Sequence, residues 1–227
     1  MASEDGRAAG WDPGTSTTVC TMAEHTSSAS TWVLLSTDPT CQELEASGWQ
    51  VQAESWGARL RPTEEDLPRL THLVTRARAQ GYAVQELGRS DAAAVAALDA
   101  ATRGDYPQAG PATEHEPVDR SRAEVLLAEG RGFGAIDPDG GLVAVSMTRG
   151  EGEQVETDFT AVHPEHRTVG LGTAVKAASV LAWWADGGRV FGTGGAQTNP
   201  ASLAINRSVG YSVTERWLTY RAPEGRG

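Results

Sequence analysis

Between Val155 and Gly172 the chain gathers residue types suited to holding a phosphate. A run Val155-Glu-Thr-Asp-Phe-Thr-Ala-Val162 is followed by His163-Pro-Glu-His166 and then by Arg167-Thr-Val-Gly170-Leu-Gly172, which opens an apolar helix. A strand running into a glycine-containing turn presents bare backbone N–H groups at a helix N-terminus, where the helix dipole favours an anion. A pyrophosphate is the expected ligand, with Arg167 adding charge beside it. A dinucleotide fingerprint needs a small residue where the chain has Val175, and a phosphate loop needs Gly-Lys-Ser/Thr, so both are disfavoured.

Two carboxylates precede the turn. Strand periodicity places Glu156 and Asp158 on one face, where two like charges sharing a cleft would raise the pKa of at least one toward the range of a general base. Three roles stay open for them: base, binder of a cationic substrate, or solvent-facing polar residues. Downstream lie an apolar strand, Arg189-Val-Phe-Gly-Thr193, and the segment Asn199-Pro-Ala-Ser-Leu-Ala-Ile-Asn206-Arg-Ser-Val-Gly210-Tyr211. Asn199 either caps the short helix it opens or contacts a ligand. Lys176 reads as solvated, His163 and His166 as surface histidines, and Tyr211 as a core residue.

In this order the two motifs resemble the GNAT superfamily of acetyl-CoA-dependent N-acyltransferases. The resemblance implies an α/β fold of mixed α+β character, a central twisted mixed sheet flanked by helices, with coenzyme A as the pyrophosphate carrier. It places the pyrophosphate on Arg167, Thr168, Val169, Gly170, Leu171, Gly172 and Thr173. The pantetheine would pair like an extra strand with the backbone of Thr160, Ala161 and Val162 and approach Asn199 and Asn206. One backbone N–H would face the thioester oxygen. Glu156 becomes the leading candidate for the base, with Asp158 beside it. The acceptor site would include Asp105 and Tyr106 in the acidic loop from Gly104 to Asp119, together with Glu156 and Asp158. Many members carry a tyrosine general acid where this chain has Asn206, which can hydrogen-bond the sulfur or the pantetheine but cannot donate a proton to a thiolate.

Composition sets outer bounds. The chain has 227 residues, 39% of them apolar, enough for a sizeable core. A net charge of −11 and a pI near 4.9 argue against nucleic acid and weakly favour a cationic partner. No apolar run approaches the ~20 residues of a membrane span, no secretion signal is evident, and a cytoplasmic protein is expected. The two cysteines, Cys20 and Cys41, read as reduced thiols, and no metal site is expected.

Along the chain, residues 1–30 read as a flexible tail and 31–80 as an N-terminal strand, hairpin and helix segment. Residues 81–223 are expected to form the GNAT-like acyltransferase domain, in the order β-α-α-β-β-β-α-β-α-β-β that the resemblance implies and with which the local signals agree. Strands are expected from Thr31 and over Gln154 to Val162, a hairpin from Trp49 to Leu60, and helices over Thr63 to Gln80 and Thr168 to Ala185. Leu44 to Pro62 parallels Ile205 to Pro223, with Gly48-Trp49 matching Gly210-Tyr211. Residues 31–62 are therefore either the last third of a degenerate first GNAT domain or an unrelated strand and hairpin.

The function expected is transfer of an acetyl group from acetyl-CoA to a primary amine of a small molecule, by direct attack in a ternary complex, in a monomer or homodimer. The alternatives are a longer or carrier-protein-bound acyl donor, and a coenzyme A-binding module without turnover.

Overall fold

The computed structural model describes residues 27–28, 30–107 and 110–223. Residues 1–26, most of the expected tail and Cys20 with them, lie outside the described residues. The elements are β1 (Ser27–Ser28), β2 (Thr31–Leu35), α1 (Thr40–Ala46), β3 (Gln50–Leu60), α2 (Leu67–Ala79), β4 (Ala83–Leu87), α3 (Ala92–Thr102) and α4 (Arg120–Glu129). They continue with β5 (Arg131–Ile136), β6 (Leu142–Glu151), β7 (Gln154–Val162), α5 (Leu171–Ala185), β8 (Val190–Ala196), α6 (Pro200–Val209) and β9 (Ser212–Arg221). All the strands join one mixed sheet in the order β1-β2-β9-β3-β8-β7-β6-β5-β4. Only the β7–β8 pair is parallel among the described strands.

Local signals explain most of these boundaries. Thr63 and Asp66 form a capping box, the Thr63 N–H donating to Asp66 Oδ2 at 2.9 Å, just ahead of α2. Asp119 caps α4 by accepting from the Arg122 N–H. The helices expected at Thr63 and Thr168 begin later, at Leu67 and Leu171, because a single 3-10 turn occupies Glu64–Asp66 and the glycine turn itself fills the residues before α5.

Two sequence expectations are corrected. Trp49 to Leu60 is not a hairpin: β3 is one continuous eleven-residue strand. It contributes Trp56, Ala58 and Leu60 to the cluster that α2 and α5 build with Phe191 and Tyr211. Trp56 is 2% exposed, and burying a large apolar side chain contributes about 1.5–3 kcal/mol toward docking the strand inside the sheet. The domain also ends on one strand, β9, rather than two. The slot between β8 and β9 is taken by β3, which pairs antiparallel with both.

The two strand-helix-strand units β2-α1-β3 and β8-α6-β9 therefore interlock. The local order β2-β9-β3-β8 reads the same when the units are exchanged. Their helices stop alike: Gly48 and Gly210 are left-handed at φ 85° and 112°, and the Trp49 and Tyr211 N–H groups return to the carbonyls of Leu44 and Asn206, each at 3.0 Å. A second apolar cluster, with Leu87, Val95, Leu98, Val118, Met147 and Phe159, packs α3 and α4 against β6 and β7.

Candidate active site

β7 and β8 are in register only at Gln154–Val190, Val155–Phe191 and Glu156–Gly192. Beyond them the strands splay, and a cleft of about 620 Å³ opens between Thr157–Val162 and Thr193–Ala196. All the residues expected to touch coenzyme A line it except Val169: Thr160, Ala161, Val162, Arg167, Thr168, Gly170, Leu171, Gly172, Thr173, Asn199 and Asn206.

The turn at its mouth has the backbone an anion site needs. Gly170 is left-handed at φ 92° immediately before the first residue of α5, and Thr168 is also at positive φ, 68°, a conformation that for a non-glycine residue costs of order 1–3 kcal/mol and marks functional sites. A Cβ on Gly172 would stand 2.8 Å from Ile205 and 3.2 Å from Val162, so this glycine lets α5, α6 and β7 converge. Arg167 donates from Nε to the Val162 carbonyl at 3.1 Å and from Nη2 to Asp105 Oδ2 at 2.5 Å. Asp105, expected in the acceptor site, thus fastens the acidic loop to the turn. Asn199 caps α6, accepting from the Ser202 N–H at 3.0 Å, and also lines the cleft.

The two carboxylates do not share the cleft. Asp158 lines it; Glu156 does not. Glu156 is 9% exposed and accepts from Arg59 Nη1 at 2.6 Å, while Asp158 pairs with Arg149 at 3.1 Å. A bulge between the Met147–Phe159 and Thr148–Thr157 pairs makes Asp158 an extra residue and interrupts the alternation on which the sequence argument relied. The Asp158 carboxyl is held above its ordinary range, chiefly by burial, with Arg149 and Arg122 pulling the other way. Repulsion from Glu156 is not the cause.

At the base of the splay lies a buried lysine that the sequence reading placed in solvent. Lys176, expected in solvent, is 2% exposed; Nζ donates to Thr193 Oγ1 at 2.9 Å and lies 5.0 Å over the Tyr211 ring. Its signal was available: it is the sole charged residue of α5. Asn206 Nδ2 donates to the Ser202 carbonyl at 2.9 Å, while its buried Oδ1 has no hydrogen-bond partner among the described residues. Tyr211 is in the core as expected, its phenol pushed up by burial.

The loop closing the other wall centres on Asp99, the sole charged residue of α3 and fully buried. Asp99 Oδ1 meets His115 Nε2, and Oδ2 accepts from the Val118 N–H and from Arg103 Nη2, both at 3.0 Å. His115 stacks on Tyr106 with centroids 4.0 Å apart and planes 6° from parallel. The Tyr106 hydroxyl donates to the Thr160 carbonyl at 3.4 Å. Tyr106, expected on the acceptor side, and His115 both line the cleft. Among the described residues no cluster of three metal-ligating side chains occurs, and no helix is long and apolar enough to cross a membrane.

A mixed sheet opened by a splayed parallel pair, with a glycine turn at its mouth, is the fold of the GCN5-related N-acetyltransferases, and comparison with solved structures agrees. The chain is similar to a tandem GNAT protein from the clavulanic acid biosynthesis pathway, with a TM-score of 0.56 at 19% identity over 87% of this chain and 65% of that one. It is similar to a GCN5-related N-acetyltransferase from Sphaerobacter thermophilus (TM-score 0.62, 13% identity, 85% and 58% covered) and to a GNAT-family acetyltransferase from Colwellia psychrerythraea (0.60, 15%, 86% and 65%). The chain therefore spans about three fifths of the length of these relatives. No family model and no curated protein matches the sequence.

Proposed function

We propose that the chain transfers an acetyl group from acetyl-CoA to a primary amine of a small molecule, with both substrates bound together. One observation carries this reading: β7 and β8 part beyond Glu156 and Gly192 directly beside the Gly170–Gly172 turn, so one cleft joins an anion site to two unpaired strand edges. An extended pantetheine satisfies such edges as an added strand does, while the N–H groups at the start of α5 receive the pyrophosphate. The fit extends to Asn206. A buried acceptor without a partner costs about 1–3 kcal/mol, and a pantetheine amide N–H would relieve it.

Chemistry then needs a backbone N–H of β7 aimed at the thioester oxygen and a positive charge near the departing sulfur. Fixed donors of this kind act on charge that develops in the transition state. Asn206 cannot supply a proton there; the buried ammonium of Lys176, at the base of the same splay, supplies the charge. Thr160, Ala161 and Val162 hold the thioester arm, and Asp158 faces the acceptor. By the same reading, residues 31–62 are the closing strand-helix-strand of an earlier half-domain, a role supported by the matched helix ends at Gly48 and Gly210.

A binding module without turnover has one observation in its favour, the engagement of Glu156 by Arg59. Calorimetric titration with acetyl-CoA, coenzyme A and pantetheine separates the readings from a structural role. Micromolar binding that requires the pyrophosphate is expected, followed by thiol release in the presence of a subset of amines. Binding without release from any amine would favour the module; absence of binding would overturn both.

A further inference from the structure

We infer that His115, oriented by Asp99, is the group that takes the proton from the acceptor amine. The inference rests on the acyltransferase reading and adds to it a catalytic residue on the loop, away from the strand where Glu156 lies.

Asp99 is fully buried on α3 and engages Nε2 of His115, whose ring lines the cleft. A carboxylate accepting from one ring nitrogen places the hydrogen there and leaves the lone pair on the other, so the Nδ1 of His115 is the basic atom. Burial pushes the Asp99 carboxyl up, but His115, the Val118 N–H and Arg103 outweigh it and hold the group below the usual range. Asp99 therefore stays ionised at neutral pH and stabilises the imidazolium that forms when Nδ1 is protonated.

The surroundings keep the ring in place. Tyr106 covers one face, and Phe159 of β7 meets the ring at 66° with centroids 5.4 Å apart. The Tyr106 hydroxyl reaches the Thr160 carbonyl, which ties the dyad to the strand that would carry the thioester arm. The charged and titratable groups around His115 are Asp99 and Arg103 at the end of α3, Tyr106 in the loop, Arg167 acting on Tyr106 from the turn, and Glu114 beside it on the cleft wall. Glu156 is engaged by Arg59 instead.

The acceptor arrives as an ammonium ion. Nδ1 of His115 removes one proton and later passes it to solvent. The freed nitrogen lone pair forms the C–N bond to the acyl carbon, the C–S bond breaks with its electron pair going to sulfur, and the second nitrogen proton ends on that sulfur. The products are amide, free thiol and one proton.

His115→Gln, Asp99→Asn and Glu156→Gln are compared with wild type by thiol release across pH 5.5–9, using an amine identified in the acceptor screen, and by calorimetry with coenzyme A. His115→Gln is expected to lower kcat/KM by about 10²–10⁴-fold and to abolish its acid limb, with coenzyme A affinity unchanged. Asp99→Asn keeps an acceptor for the Val118 N–H but loses the charge and the tautomer, and is expected to shift the limb. Imidazole added to His115→Ala restores part of the rate, which a purely structural histidine would not allow.

His115→Gln with wild-type turnover and pH profile overturns the inference alone, as does an acid limb lost in Glu156→Gln and kept in His115→Gln. Wild-type protein that binds coenzyme A but releases no thiol with any amine overturns the inference and leaves coenzyme binding standing. Wild-type protein that binds no coenzyme A overturns the acyltransferase reading and this inference with it.

Discussion

Arg59 and Glu156 meet at 2.6 Å across the backbone of Gly192, the three residues lying in line on β3, β7 and β8 through the pairs Arg59–Gly192 and Glu156–Gly192. A strand from the amino-terminal segment thus reaches the last paired position before the sheet opens, and fixes the side chain of β7 nearest that point. A Cβ on Gly192 would collide with Arg59 Nη1 and with both oxygens of Glu156.

The pair is the test of that arrangement. Removing one member of a buried ion pair leaves the other charge desolvated, at about 3–5 kcal/mol. Both side chains keep some exposure, 18% and 11%, so Arg59→Ala is expected to cost about 2–3 kcal/mol, toward or below the lower end of that range. Glu156→Gln added to Arg59→Ala is expected to recover part of the loss, because it removes the carboxylate that has lost its arginine. Urea denaturation of both single mutants and the double mutant measures this; strictly additive losses would show that the pair contributes no coupling.

The Gly170–Gly172 turn gives a second prediction. Gly170 at φ 92° has open space around a would-be Cβ, so the cost of a side chain there is conformational, about 1–2 kcal/mol for a left-handed residue. Gly170→Ala is expected to weaken coenzyme A binding roughly tenfold, and Gly170→Glu to abolish it by adding negative charge at the pyrophosphate position. Calorimetry on both variants checks it. Unchanged affinity in Gly170→Glu would mean that the pyrophosphate lies elsewhere.

The turn was legible because its signal is local: Arg167, Gly170 and Gly172 define it by type and spacing, and β7 was bounded at Gln154 and Val162 as the sequence suggested. The slot filled by β3 was not legible, since pairing between residues as distant as Arg59 and Gly192 leaves no periodic trace in either strand. Asp158 misled because a bulge, set by the partner strand β6, breaks the alternation the argument needed. Lys176 and Asp99 were missed for an avoidable reason. Each is the lone charge in an otherwise uncharged helix, where a charged side chain has an apolar face on every side and must find a specific partner. The likeness of Gly48-Trp49 to Gly210-Tyr211 extends to the backbone, where the Trp49 and Tyr211 N–H groups return to the carbonyls of Leu44 and Asn206, four residues before each glycine.

Lys176 carries a third prediction. Lys176→Met keeps the length of the side chain and removes the ammonium from the base of the splay. If that charge supports the departing thiolate, kcat falls by about 10²–10³-fold, the effect of losing one fixed donor, while the KM for acetyl-CoA changes little. Stability is expected to fall modestly, because the Thr193 hydroxyl loses the donor it accepts from. Steady-state thiol release together with thermal denaturation reads both effects. A variant with wild-type kcat would assign Lys176 a structural role against Thr193 and Tyr211.

The last prediction concerns Asp158 and pH. Its carboxyl is raised above the ordinary value of 3.8, first by burial, with Arg149 and Arg122 only partly offsetting that cost. A folded-state pKa above the unfolded one means that the folded protein binds the proton more tightly. The associated stability is present in full below the unfolded pKa and is lost as pH rises through the folded value. Asp158→Asn cannot titrate, so its stability relative to wild type is expected to increase as the pH is raised from about 4 through the window above the ordinary carboxylate value, and then to level off. Chemical denaturation of both proteins at intervals between pH 4 and 7 measures that difference. A difference that shrinks with rising pH would mean that the arginines dominate and that Asp158 is stabilised as the anion, which would also favour its use as a fixed negative charge toward a cationic acceptor rather than as a proton carrier.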